Sequence, residues 1–414
     1  MNSLLDKITQ FYLTSGDFNG YPVSKILVEC GEEAGRQYVR ELVEAGLVSI
    51  VFGDRHPNAH IRAFPDEPID RQLEKLGVQD LAYACAYPAA RHLEAAVDRK
   101  SFADRPYALE LALGAAQLSH RAFDLHILEF YRNDPRYSYV CDDIHGTISA
   151  VAEEGLRESD QTFLKSFGFA YDEEGGRYVA VFLWDLFKLS PEHQQFWKTR
   201  EIAGPTSLHP DYYRTQIIGD WPERLSIYEA FTLELQTINR MSTAMGKAAL
   251  FRNDFTGPNR PKAFASLLRP TVREFNDFVR LLDSMISDNI NRDFFRGAIS
   301  LESEKERPDG RVEVRQKGTI QLLEEWLRSR VRLRDPAPME AMFSEFKNVR
   351  KLRNKPAHAP IEDAFSREIV NEQRNFMIRV YKAVRTLRLI LANHPAAKDV
   401  EVDELLRKGM IWTK

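Results

Sequence analysis

Cysteine is scarce in this 414-residue chain: the three, Cys30, Cys85 and Cys141, lie far apart and show no CxxC spacing. A disulfide framework and a thiolate zinc site are thereby excluded as organising devices, which leaves buried thiols. Long apolar runs are missing too. No stretch approaches the roughly 20 residues that a membrane helix needs, and the opening MNSLLDKITQ carries acid and amide groups where a secretory leader would be apolar. A cytoplasmic protein without membrane association is expected. The histidines form no HExxH pattern, and the nearest approach to a phosphate loop, AMGKAAL at 244–250, lacks the glycines that let backbone amides cradle a phosphate. Neither a metal nor a cofactor is expected.

What is present suits a folded protein: 43% hydrophobic and 29% charged residues over a length that exceeds one ordinary core. Charge is uneven. From residue 261 onward there are 30 Lys and Arg against 23 Asp and Glu, a net of +7, so the preceding part carries −11. A polyanion would therefore meet the C-terminal part.

Patterning predicts a mainly α protein with a minor β component. Residues 1–68 read as three helices followed by a hairpin, with Gly46 closing the third helix and the runs LVSIVF and HIRAF as strands. That order resembles a winged-helix module. Its third helix carries Glu32, Glu33, Glu41 and Glu44 against Arg36 and Arg40, a poor match to phosphate, so a protein partner or dimer contact is expected there rather than DNA.

Residues 69–258 read as an α+β middle domain with no catalytic motif. YALELALGAAQLSHRAFDLHILEFY predicts a central buried helix, which would place His120 and His126 on opposite faces. FGFAYDEEGGRYVAVFLWDLF predicts a β-hairpin. The aromatic residues Trp184, Phe196, Trp197, Tyr212, Tyr213 and Trp221 read as packed core in preference to a base-stacking platform.

After FTGPNRPK at 255–262, four amphipathic stripes follow, through Phe275–Ile286, Ile320–Val331, Phe343–Val349 and Ile369–Leu387. They predict a helical bundle over 263–396, with a polar excursion at 302–318 and a tail at 397–414. Between the third and fourth stripes lies Leu352-Arg353-Asn354-Lys355-Pro356-Ala357-His358. Pro356 ends the helix there, setting side chains at a helix end.

Arg353-Asn354-x3-His358, with DNIN at 288–291 before it and a helix after it, resembles the signature of HEPN domains. The same Arg-x4-His spacing occurs at Arg55–His60 and Arg121–His126, but the first falls in a turn and the second lies within the expected apolar helix. Only Arg353–His358 combines a polar second position, basic surroundings and a helical frame. The resemblance covers about a third of the chain. It implies a four- to five-helix bundle, a homodimer with a composite site, and metal-independent RNA cleavage in an antiphage, toxin-like or RNA-processing setting.

The chemistry fits those residue types. Attack by a ribose 2′-hydroxyl on the adjacent phosphorus needs a proton acceptor near neutrality, the role of His358, and a fixed cation for the charge gathering on the phosphoryl oxygens, the role of Arg353. Asn354 would orient one or the other, while Arg350, Lys351 and Lys355 would hold the RNA backbone. The competing expectation is a non-catalytic scaffold or regulator of a partner, in which Arg353 pairs with Glu345 or Asp363 and His358 caps the fourth helix.

Overall fold

The computed structural model describes residues 2–151, 156–220, 223–306, 312–332, 334–354, 362–366 and 368–413. The chain is mainly helical with a smaller strand content and forms two compact units, residues 1–140 with 145–221, and residues 141–144 with 222–414. No helix among the described residues is long and apolar enough to cross a membrane.

The first unit opens with α1 (Asn2–Thr14), β1 (Tyr21–Pro22), α2 (Val23–Cys30), α3 (Glu32–Glu44), β2 (Val48–Val51), α4 (Ile69–Val78) and β3 (Cys85–Pro88). Gly46 ends α3 as its spacing predicts. With φ of 64° it turns the chain so that its N–H reaches the Val43 carbonyl and the Leu47 N–H reaches that of Leu42.

The expected hairpin does not form. β2 pairs antiparallel with β3, and the small sheet runs β1-β3-β2. HIRAF is no strand: the Arg62 N–H is taken by Gln117 Oε1 and its carbonyl by the Gln117 N–H, and the Arg62 side chain turns inward. It is 2% exposed, its guanidinium donates to the carbonyls of Gly114 and Pro88 and to Ser49 Oγ, and it stacks over Tyr87. Leu76, Leu81, Ala84 and Ala86 belong to the same core as α1–α3, so this subregion runs past the expected boundary at residue 68.

Next come α5 (Ala90–Ala96), α6 (Pro106–Ala112), β4 (His120–Phe123), α7 (Ile127–Asn133), β5 (Tyr137–Cys141), β6 (His145–Ala150), β7 (Phe163–Tyr171), β8 (Arg177–Phe182), α8 (Leu183–Leu186), α9 (Pro191–Lys198), β9 (Ser207–Leu208) and α10 (Pro210–Tyr213). The expected central helix is instead α6, β4 and α7. It breaks at Gly114, whose φ of 92° no other residue adopts cheaply, and β4 then pairs along β8. His120 and His126 therefore do not share a helix. The apolar character belongs to α6, which buries Tyr107, Ala108, Leu111 and Ala112, while β4 ends the sheet order and buries only Ala122 and Phe123.

The β7–β8 hairpin forms as predicted, in a sheet ordered β4-β8-β7-β6-β5 with β9 beside β7. Trp197 and Tyr212 are buried as core, Trp184 and Phe196 are half-buried, Tyr213 is exposed, and Trp221 lies outside the described residues.

The second unit contains α11 (Ile227–Ala244), α12 (Val272–Ile286), β10 (Glu302–Glu306), β11 (Val312–Gln316), α13 (Thr319–Arg330), α14 (Ala337–Asn354), α15 (Glu368–Ala392) and α16 (Glu404–Lys408). All four predicted stripes are helices that share one core, yet that core also takes in α11, assigned above to the middle domain. A buried ion pair fixes this: Arg388 of α15 binds Glu234 of α11, with side chains 5% and 0% exposed. The 255–262 segment is consequently a connection inside the unit, not a boundary.

In the polar excursion, 302–306 and 312–316 form the antiparallel β10–β11 pair. The described part of the expected tail, 397–413, does not trail free either. Leu406 is buried, and Ile411 bridges Leu225.

Candidate functional site

On α14 the apolar stripe Met339, Met342, Phe343, Phe346 and Val349 is buried, and Arg350 and Arg353 follow Phe346 at spacings of four and three. They continue the packed line as cations. On α12 the same happens with opposite sign. Asp283 stands between Val279 and Ile286 on the buried face, and Asp288 follows just past the helix end.

The two lines meet. Arg353 Nη1 lies 2.6 Å from Asp283 Oδ2 and 2.8 Å from Asp288 Oδ2. Arg350 Nε lies 3.1 Å from Asp283 Oδ2, and its Nη2 2.9 Å from Asp288 Oδ1. The Asp283 side chain is fully buried, Asp288 is 44% exposed and Arg353 31%. A carboxylate taken out of water needs this double compensation, since an unpaired buried charge is expensive. Hydrogen bonding to Asp283 first, with the nearby Asp288 charge, holds the Arg353 guanidinium above its ordinary pKa, so its charge is permanent.

DNIN has a structural account. Asp288 serves the arginines; Asn289 is buried, donating to the Asn253 and Met285 carbonyls and accepting from the Asn253 N–H; Asn291 donates to the Ala249 carbonyl. These bonds fix the chain that carries Asp288.

Of the expected site residues, Arg350 and Arg353 come together, and Lys351 and Asn354 lie exposed at the same helix end. Lys355 and His358 lie outside the described residues, as does Pro356. Neither expected structural partner of Arg353 is used: Glu345 faces Arg379, and Asp363 accepts the Arg273 N–H. The other Arg-x4-His spacings are engaged elsewhere. Arg121 lies on β4 and pairs with Glu110, and Arg55 donates to the Pro65 carbonyl.

Asp283 and Asp288 were missed as site residues. Asp283 had a signal, an acid at a buried stripe position four after Val279 and three before Ile286, which calls for a cation on the facing helix. Among the described residues no group of three or more His, Cys, Asp or Glu is placed to hold a metal ion. Chemically, the quartet presents two guanidiniums in fixed orientation, balanced by one inaccessible carboxylate and one rim carboxylate that an incoming phosphate would compete with. Compared with protein families, curated proteins and solved structures, the chain shows no match.

Proposed function

We propose that the C-terminal unit is a HEPN-type bundle and that the protein is a metal-independent endoribonuclease, acting as a homodimer in an antiphage or toxin-like role. The observation that carries this reading is the placement of Arg353. It sits partly exposed at the junction of α12 and α14, oriented by two carboxylates, with Asn354 exposed one residue further on. Arg353 stabilises the charge on the phosphoryl oxygens, and His358 takes the 2′-hydroxyl proton and returns one to the leaving 5′-oxygen. The products are a 2′,3′-cyclic phosphate and a 5′-hydroxyl.

Purified protein should cleave RNA in EDTA and spare a 2′-deoxy analogue. Arg353→Ala and His358→Ala should each abolish cleavage with the helical circular dichroism intact. Equal cleavage by His358→Ala overturns the reading.

One observation favours a second reading, a non-catalytic scaffold or regulator of a partner protein. Both guanidiniums already hold two carboxylates, a neutral quartet that packs two helices without any ligand. It predicts no RNA turnover and a stable complex with a partner protein.

For the N-terminal subregion we infer a winged-helix module, supported by the order α1, β1, α2, α3, β2 and the sheet order β1-β3-β2, with α4 inserted between β2 and β3 in place of a wing turn. Arg36 of its third helix is occupied by Glu32 and the Leu76 carbonyl, which favours a protein contact over DNA. Salt-sensitive duplex binding lost on Arg40→Ala would reverse that inference.

A further inference from the structure

The second unit contains an open pocket of about 660 Å³ whose lining includes Lys247, Arg296, Arg330, Arg332 and His394 and, among the described residues, no acidic one. It shares no residue with the Arg350, Arg353, Asp283 and Asp288 quartet. Volumes of a few hundred to a thousand Å³ suit nucleotide-sized ligands.

Cations at helix C-termini are often simple complements to the helix dipole, and Arg330 ends α13. Lys247 also stands at a helix end, but it does more than complement a dipole. It follows α11, is half-buried, donates to the Phe294 carbonyl at 3.1 Å, and lies over the Phe294 and Trp326 rings at 4.8 and 5.4 Å. Burial first, then the Arg330 charge, pulls its ammonium below the ordinary lysine range. Two cations held close, one of them partly desolvated, repel each other unless an anion lies between them. Among the described residues Arg330 and Arg332 have no carboxylate partner, whereas Arg296 reaches Asp293.

Two more donors belong to the wall. Trp326 is 5% exposed, and its Nε1 hydrogen has no acceptor among the described residues. His394 accepts the Ala396 N–H at Nδ1, which leaves Nε2 carrying the hydrogen of the neutral ring as a donor. Met245, Val331, Ile390, Leu391 and Pro395 supply an apolar side. A ligand matched to this lining has an anionic group with several acceptor oxygens and a less polar body.

We propose that this pocket binds a phosphorylated ligand of nucleotide size, with Lys247, Arg330 and Arg332 on its phosphate oxygens. The site stands independently of cleavage at Arg353 and His358. The phosphate is carried by a free nucleotide or by the 5′ end of an RNA strand, and the probes separate the two.

Full-length protein is titrated calorimetrically with ATP, inorganic triphosphate, adenosine, and a short 2′-O-methyl RNA with either a 5′-phosphate or a 5′-hydroxyl. Expected are salt-sensitive binding of a phosphate-bearing probe, no binding of adenosine, and at least tenfold weakening by Arg330→Glu. Arg334→Glu, an exposed change outside the lining, should have little effect. Lys247→Met is a second pocket variant, with thermal melts checking the fold of each. ATP bound more tightly than the phosphorylated strand assigns a free nucleotide, and the reverse assigns the strand end. The proposal falls if no phosphate-bearing probe binds, if adenosine binds as well as ATP, or if Arg330→Glu and Arg334→Glu weaken binding equally.

Discussion

Asp283 and Asp288 bind the same two arginines from opposite degrees of burial, so their removal should have different consequences. Asp283→Asn leaves two guanidiniums facing an amide at a fully buried position and should cost about 2–4 kcal/mol, read as a lower urea midpoint. Asp288→Asn, at the half-exposed rim, should cost under about 1 kcal/mol. It should also tighten RNA binding by freeing Arg353, measurable by filter binding on a cleavage-dead His358→Ala background. If Asp288→Asn destabilises as much as Asp283→Asn, rim and interior have been misassigned.

A second residue-scale effect depends on pH. Burial pushes the Asp185 carboxyl of α8 up to about 6, from an ordinary value of 3.8, despite Lys188 and Lys165 nearby. The raised folded value means that Asp185 contributes most below about pH 4 and that this contribution disappears as pH rises through 6. Asp185→Asn should therefore match the parent near pH 4 and exceed its stability at pH 7 by roughly 2–3 kcal/mol. Chemical denaturation at the two pH values checks this, and an unchanged difference between them would remove the assignment.

Between elements, the α11–α15 contact depends on one buried pair. Arg388→Met strands the Glu234 carboxylate, whose pKa burial already holds above its ordinary range, and should cost about 3–5 kcal/mol. Adding Glu234→Leu should recover most of that loss. Failure of the double variant to recover would show that the pair acts through surrounding contacts.

This is also the scale at which the sequence was easiest and hardest to read. The stripes of α12 to α15 were legible because one face of each helix is buried, so the 3.6-residue period survives. β4 was not, since its four residues lie between the two short apolar helices α6 and α7, and only Gly114 marked the break. β3 was hidden because its pairing with β2 skips α4, and local signals carry no trace of a partner more than thirty residues away. At the candidate site, Arg353 was readable from the Arg-Asn-x3-His pattern and Arg350 from the basic residues around it. Their carboxylates carried a fainter signal, Asp283 alone breaking an otherwise apolar face.

For the whole molecule, the proposed composite site makes activity depend on assembly. Specific RNA-cleaving activity should rise with protein concentration and level off at the concentration where sedimentation shows complete dimerisation. A constant specific activity through a monomer–dimer transition would assign cleavage to the single chain.

The pairing of Leu225 with Ile411 has a consequence for how the second unit can be handled. The Leu225 N–H reaches the Met410 carbonyl, and the Trp412 N–H returns to the Leu225 carbonyl. The path from 225 to 411 is thus topologically a ring, open only by the width of a backbone bridge. Its ends can be spliced by a short linker and the ring reopened at an exposed turn, so this half of the protein is suited to circular permutation and to transplantation into a surface loop of another protein.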